Sequence, residues 1–215
     1  MTEPPLKSTR QRWDEKYAEA ERVWSGKVNP TLREVAARLE PATALDVGCG
    51  EGGDAVWLAE QAWTVVGLDL SPVALERAAA AAAERGVGER CTWVAGDIED
   101  ANIPKRLGPD ARFDLVTTHY VHEPRDVRAA AWLAEAAAVA PGGILLVVGH
   151  HPDDEHPPGR GPRDTSVLFT PDEVEAVLAG AGGLDVEEAE VRTRTQDTAD
   201  GPLTRRDTVV IARRR

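Results

Sequence analysis

Short apolar runs that end in glycine, proline or acid alternate along this chain with longer stretches of helical period. Ala44-Leu45-Asp46-Val47 is such a run; it stops at Gly48-Cys49-Gly50-Glu51-Gly52-Gly53, and Asp54-Ala55-Val56-Trp57-Leu58-Ala59 follows. The pattern predicts a strand, a tight turn and a helix over about residues 54–61. That is the opening of a doubly wound α/β sheet, whose ligands bind at the carboxyl ends of the strands.

The same alternation continues. Thr64-Val65-Val66-Gly67-Leu68-Asp69 and Cys91-Thr92-Trp93-Val94 read as the second and third strands, and Ser71-Pro72 as an N-cap with proline in the first helical position of a helix closed by Gly86. The run Ala78 to Ala83 belongs to that helix, since alanine is the strongest helix former. A fourth strand is expected over residues 113–117 and a helix over 126–139. Ile144-Leu145-Leu146-Val147-Val148 is then a continuous apolar run, as a strand buried on both faces requires. Thr170-Pro171-Asp172-Glu173 opens a helix with a capping box, and strands over about 184–193 and 206–212 finish the sheet around a turn at Thr198-Ala199-Asp200-Gly201-Pro202. Ahead of the first strand, residues 8–24 read as one helix with Trp13, Tyr17 and Ala20 or Val23/Trp24 at helical spacing, which suits an amphipathic helix packed on the core, and Thr31 with Glu34 as the capping box of a short helix that ends before Pro41.

Gly48, Gly50 and Gly53 have the spacing of a dinucleotide-binding turn, with Asp69 at the distance of a ribose-binding acid. Asp46 opposes that reading, because a carboxylate two residues before the first glycine repels a pyrophosphate. A nucleoside that carries an ammonium and a sulfonium is attracted instead. On this alternative Asp46 holds the amino group, both oxygens of Asp69 take ribose hydroxyls with Leu70 and Ser71 beside them, and Gly96-Asp97-Ile98 offers an acceptor and an apolar wall to an adenine.

Leu45-Asp46-Val47-Gly48-Cys49-Gly50, Val66-Gly67-Leu68-Asp69, Gly96-Asp97-Ile98, Phe113-Asp114-Leu115-Val116 and Pro141-Gly142-Gly143 resemble, in order, the successive motifs of the class I S-adenosylmethionine-dependent methyltransferases. The resemblance implies a Rossmann-like, seven-stranded, mostly parallel sheet with helices on both faces and a reversed last strand. It implies S-adenosyl-L-methionine as cofactor, with Asp46, Gly48, Cys49, Gly50, Asp69, Leu70, Ser71, Gly96, Asp97 and Ile98 around it. Trp13-Asp14-Glu15-Lys16-Tyr17 and Trp24-Ser25-Gly26-Lys27-Val28-Asn29-Pro30 resemble the N-terminal segment of the thiopurine and tellurite methyltransferase group, where that segment folds over the cofactor. Trp24 is then a lid residue that keeps water from the sulfonium.

At 215 residues the chain is expected to be a single domain, with residues 1–40 as a helical lid segment and 41–215 as the cofactor-binding core. Its formal net charge of −12 opposes nucleic-acid phosphates and anionic membrane surfaces. The Asn/Asp-Pro-Pro-aromatic signature of base-methylating enzymes is missing after the fourth strand. A small-molecule methyl acceptor, with neither nucleic acid nor membrane as partner, is therefore expected. Cys49 and Cys91 have no framework spacing, and no run reaches the ~18–20 apolar residues that span a bilayer, so a cytoplasmic protein is expected.

The five histidines all follow the fourth and fifth strands, in Thr118-His119-Tyr120-Val121-His122-Glu123 and Gly149-His150-His151-Pro152-Asp153-Asp154-Glu155-His156. Imidazole titrates near neutrality and can take a proton from an attacking hydroxyl or thiol. His119 is expected at the cofactor, and His122 and His151 are the candidates for the acceptor side. His150, His151, Asp153, Asp154 and His156 have metal-ligand chemistry, but neighbours on one loop seldom complete a coordination shell, and no metal is assigned. The irregular stretch 152–165 is expected to cover the acceptor. A thiol sulfur is slightly favoured over a hydroxyl oxygen as the methylated atom. A nicotinamide-dependent oxidoreductase and a non-catalytic S-adenosylmethionine-binding protein are the alternatives.

Overall fold

The computed structural model describes residues 8–20, 22–98, 100, 106–108, 111–155, 164–198 and 201–215. In chain order the elements are α1 (Thr9–Ala18), α2 (Pro30–Ala36), β1 (Thr43–Val47), α3 (Gly53–Glu60), β2 (Thr64–Asp69), α4 (Pro72–Glu84), β3 (Cys91–Ala95), β4 (Phe113–His119), α5 (Arg125–Ala137), β5 (Val139–His150), α6 (Pro171–Ala181), β6 (Leu184–Thr198) and β7 (Gly201–Arg214). The strands form a seven-stranded sheet in the order β3-β2-β1-β4-β5-β7-β6. β1, β2 and β3 pair in parallel, as do β4 and β5, whereas β7 runs antiparallel to both β5 and β6 and is the reversed last strand. This is the expected α/β architecture.

Residues 1–109 and 110–215 make two compact units. In the first, Leu45, Val65 and Leu68 of the strands are buried with Ala55 and Leu58 of α3 and Ala74, Ala78 and Ala82 of α4. In the second, Leu115, Ile144, Leu145, Leu146, Val209, Val210 and Ile211 form a β core beside Phe169 and Leu178.

Local chemistry sets the boundaries where they depart from expectation. The helix expected over 8–24 ends at Ala18, because the Tyr17 carbonyl is taken by Arg77 at 2.6 Å and the Val23 and Trp24 N–H groups by Glu51 at 3.0 and 2.9 Å. Those bonds replace the i→i−4 partners a longer helix would need. Asn29, rather than Thr31, caps α2: its side chain accepts the Thr31 N–H at 2.8 Å, and Pro30, which has no N–H, takes the first helical position. Val139 joins β5 opposite Phe113, so α5 is shorter than expected and the strand begins ahead of Pro141-Gly142-Gly143. Ser71 caps α4 and Thr170 forms a capping box with Glu173, both as expected. The last two strands are longer than their apolar cores, extended by paired polar residues as far as Thr198 and Gly201, and the turn between them lies outside the described residues. No helix among the described residues is long and apolar enough to cross a membrane.

Candidate active site

In the first unit the turn after β1 is built around Asp69. Its Oδ2 accepts the Gly50 N–H and its Oδ1 the Ser71 N–H, each at 2.8 Å. One carboxylate thus ties the glycine turn to the start of α4, and each oxygen retains a further lone pair for a ligand hydroxyl. The Leu68 carbonyl holds the same turn through the Gly48 and Cys49 N–H groups at 2.8 and 3.1 Å. Gly50 has φ +52°, and a Cβ there would lie 2.9 Å from the Tyr17 hydroxyl, so only glycine fits.

Asp46 is 2% exposed at the end of β1. It accepts the Ala55 N–H, yet its Oδ2 is buried with no hydrogen-bond partner among the described residues. Burial pushes its carboxyl well above the usual range, and the neighbouring charges of Asp54 and Asp69 add to the effect. An unsatisfied carboxylate oxygen among like charges is a seat for a cationic group. Burial also raises Asp69, against the two backbone N–H bonds that lower it.

The N-terminal segment is fastened over this turn. Glu51 accepts the Val23 and Trp24 N–H groups and pairs with Arg77 at 2.8 Å. The Ser71 hydroxyl donates to Asp14, and Trp24 Nε1–H donates to the Tyr17 hydroxyl at 3.0 Å. Lys16 lies over the rings of both Trp13 and Trp24, 4.5 and 4.4 Å from their centroids. Tyr17, Glu51 and Arg77 were not marked as site residues by the sequence pattern, although Glu51 stands inside the glycine turn. Leu70 and Ser71 follow Asp69 at the end of β2, and Gly96, Asp97 and Ile98 follow β3, with the Gly96 N–H bonded to the Asp69 carbonyl at 2.9 Å. The cofactor candidates Trp24, Asp46, Gly48, Cys49, Gly50, Asp69, Leu70, Ser71, Gly96, Asp97 and Ile98 all belong to this unit, and His119 belongs to the other.

In the second unit β4 ends in His119, whose Nε2 lies 2.7 Å from the Thr117 hydroxyl. Tyr120 follows with φ +55°, a left-handed conformation that costs an aromatic residue on the order of 1–3 kcal/mol and is held by its N–H bond to the Val148 carbonyl at 2.8 Å. The strain places the Tyr120 ring 4.5 Å from that of His150, and the Tyr120 hydroxyl bonds both Asp207 and Arg194. Burial holds this phenol well above its ordinary pKa, with the Asp207 charge adding to the effect. His122 stacks on the other histidine at 5.0 Å and 9°. His150 Nδ1 lies 3.0 Å from Asp154 Oδ2 and 3.6 Å from Asp207 Oδ1.

These three residues are the grouping of metal-ligand type among the described residues, with donor atoms within 4.8 Å of one another. Each carboxylate is, however, already matched by a guanidinium: Arg205 grips Asp154 through Nε at 3.0 Å and Nη2 at 2.8 Å, and Arg194 meets Asp207 at 2.9 Å. A divalent cation there would face two positive groups, although Asp207 Oδ1 is buried without a hydrogen-bond partner among the described residues. His151 and Asp153 point elsewhere: His151 Nδ1 accepts the Asp153 N–H at 3.1 Å. His156 and most of the expected covering loop lie outside the described residues. Arg194, Arg205 and Asp207 carry no signal in the sequence, because the registers of β5 with β7 and of β6 with β7 are what bring them to His150, Asp154 and one another.

Residues 44–143 match the family model described as a methyltransferase domain. The chain is 38% identical over 106 residues to the 2-heptyl-1-hydroxyquinolin-4(1H)-one methyltransferase of Mycobacteroides abscessus, a match covering 48% of this chain and 44% of that one. It is 31% identical over 123 residues to the tRNA 5-carboxymethoxyuridine methyltransferase of Escherichia coli (strain K12), covering 54% and 44%. The matches thus span less than half the length of these relatives. The fold is similar to that in a structure titled for the conversion of a disulfide bond into a thioacetal group during echinomycin biosynthesis, with a TM-score of 0.73, 23% identity, and coverage of 96% of this chain and 92% of that one.

Proposed function

We propose, for a chain whose residues 44–143 are a methyltransferase domain of the class I S-adenosylmethionine-dependent kind, that it transfers a methyl group to a heteroatom of a small molecule. The cofactor is S-adenosyl-L-methionine, which when bound supplies an electrophilic methyl group on a sulfonium. The observation that carries the reading is Asp46 Oδ2, a buried carboxylate oxygen without a hydrogen-bond partner among the described residues, beside Asp54 and Asp69. It suits the cofactor's ammonium and opposes the pyrophosphate of a dinucleotide.

The residues divide by chemistry. Asp69 takes the ribose hydroxyls with Leu70 and Ser71 at its side. Gly48, Cys49 and Gly50 supply the turn that lets the ligand approach the backbone. Gly96, Asp97 and Ile98 receive the adenine, and Trp24, fastened through Glu51 and Tyr17, excludes water. His119 is assigned to the cofactor, and His122 and His151 to the surroundings of the acceptor. Most of the rate enhancement comes from holding the acceptor in line and dry. Oxygen or sulfur is the methylated atom.

The relative named for a hydroxyquinolinone supports a small acceptor. The relative named for tRNA supports a second reading, an RNA acceptor, which the net charge of −12 opposes. The free thiols Cys49 and Cys91 suit a reducing compartment, and we place the protein in the cytoplasm. Calorimetric titration tests the cofactor: S-adenosylhomocysteine is expected to bind and NAD to give no heat. Binding of NAD without S-adenosylhomocysteine would overturn the reading.

A further inference from the structure

We propose that the outer edge of β6 is an interface with a second copy of this chain, in which Val191 lies opposite the partner's Val191; this goes beyond methyl transfer and does not rest on it. Among the described residues β6 has one neighbour, β7, and so ends the sheet. A sheet edge offers backbone N–H and C=O groups to another strand, and edges that stay single are blunted by lysine, by proline or by being very short. β6 runs from Leu184 to Thr198 and contains neither lysine nor proline.

The charges on this edge suit a copy of itself. A register shift between Val186 and Glu188 bends the start of the strand, and from Glu188 onward β6 pairs regularly with β7. Alternation then puts Glu188, Glu190, Arg192 and Arg194 on one face and Ala189, Val191 and Thr193 on the other. Acids come first and bases after. Two copies related by a two-fold axis perpendicular to the sheet run antiparallel where their edges meet. With the axis at Val191, Glu190 faces the partner's Arg192 and Glu188 faces the partner's Arg194, and the same pairs recur on the other side of the axis. Moving the axis to Glu190 or to Arg192 sets that residue against its own like charge, which is destabilising. The register shift agrees with the same centre: it stops regular pairing ahead of Glu188, and in the partner it stops pairing beyond Arg194.

The opposite face supplies an apolar contact. Val191 is 40% exposed, one of three large apolar side chains left so open among the described residues. At the axis two copies of it meet, with Ala189 against the partner's Thr193 beside them, and β-branched side chains pack well on a pleated surface. Within one chain Arg192 donates to Glu190 at 2.7 Å and to Glu188 at 2.6 Å, and Arg194 donates to Asp207 at 2.9 Å. Two acids and two bases make the row formally neutral. In a chain of net charge −12 it is therefore a place where two copies can approach without local repulsion.

Sedimentation velocity of the full chain over about a hundredfold range of concentration tests the proposal, because one short ladder is a small interface whose dimer forms by mass action. The expected result is a shift from 23.1 kDa towards twice that mass. Glu190→Arg is expected to weaken the dimer by about tenfold or more, although it makes the chain less acidic, and Arg192→Glu added to it is expected to restore the dimer, since the reversed charges again face opposites. Under mild oxidation Val191→Cys is expected to give an intermolecular disulfide, whereas Thr193→Cys, displaced along the strand from its mate, is not; the wild-type protein, with Cys49 and Cys91, is the blank. A monomer at every concentration, or a dimer indifferent to Glu190→Arg, overturns the interface. A disulfide through Thr193→Cys in place of Val191→Cys, or a double variant as weak as Glu190→Arg alone, overturns the register.

Discussion

The carboxylate of Asp69 and the backbone of Gly50 meet at 2.8 Å, nineteen residues apart, and through that bond the end of β2 sets the shape of the turn after β1. Because the same carboxylate also holds the Ser71 N–H, it organises the cradle as well as retaining lone pairs for the ribose it is proposed to bind. Asp69→Ala is expected to weaken S-adenosylhomocysteine binding by about a hundredfold or more, since a hydrogen bond to a charged group contributes roughly 1.5–3 kcal/mol and two ribose hydroxyls are involved. Calorimetry checks it, and unchanged affinity removes Asp69 from the ribose.

Glu51 is expected to act through the N-terminal segment. Glu51→Ala removes the acceptor of the Val23 and Trp24 N–H groups and the partner of Arg77. Limited proteolysis is expected to cut between Ala18 and Lys27 several-fold faster, and cofactor affinity to fall by about tenfold, or ~1.4 kcal/mol. A variant with wild-type proteolysis would separate Glu51 from the segment.

Asp46 gives the binding equilibrium a pH dependence. Burial and the charges of Asp54 and Asp69 hold its folded-state pKa well above the usual carboxylate range, so its proton stays on to higher pH in the unliganded protein. A cationic ligand group prefers the anion, and binding must therefore expel that proton. Affinity is expected to rise with pH until it passes the raised pKa, and titrations in buffers of different ionisation enthalpy are expected to show proton release. Asp46→Asn should abolish the release.

Glu135 makes a prediction about stability alone. It is 1% exposed on α5, bonded to the Thr118 side chain, and burial pushes its carboxyl up to about 8 from an ordinary 4.5. The folded state holds the proton that the unfolded chain gives up, so this group's contribution is greatest below about pH 4.5 and is lost as pH rises towards 8. Glu135→Gln is expected to flatten that dependence and, at pH 8.5, to be more stable than wild type by about 3–5 kcal/mol, at 1.36 kcal/mol per unit. Urea unfolding at pH 5 and pH 8.5 measures it.

Much of the first unit was legible because its chemistry is local in sequence: the glycine turn, Asp46, Asp69 and the Ser71 cap each announce themselves by type and spacing. The extent of α1 was not, since Glu51 and Arg77 end it from elsewhere in the chain. In the second unit the histidines could be placed after the right strands, but their hydrogen-bonding roles could not. Those depend on Asp207, Arg194 and Arg205, which the β5–β7 and β6–β7 registers deliver, and on the left-handed backbone of Tyr120, a conformation no tyrosine advertises.

The most direct measurement is methyl transfer from labelled S-adenosylmethionine to a mixed panel of phenols, thiols and carboxylic acids, with total RNA run in parallel. The account predicts label in a small-molecule product and none in RNA. Label in RNA alone, or no transfer to any acceptor by a protein that binds S-adenosylhomocysteine, would contradict it.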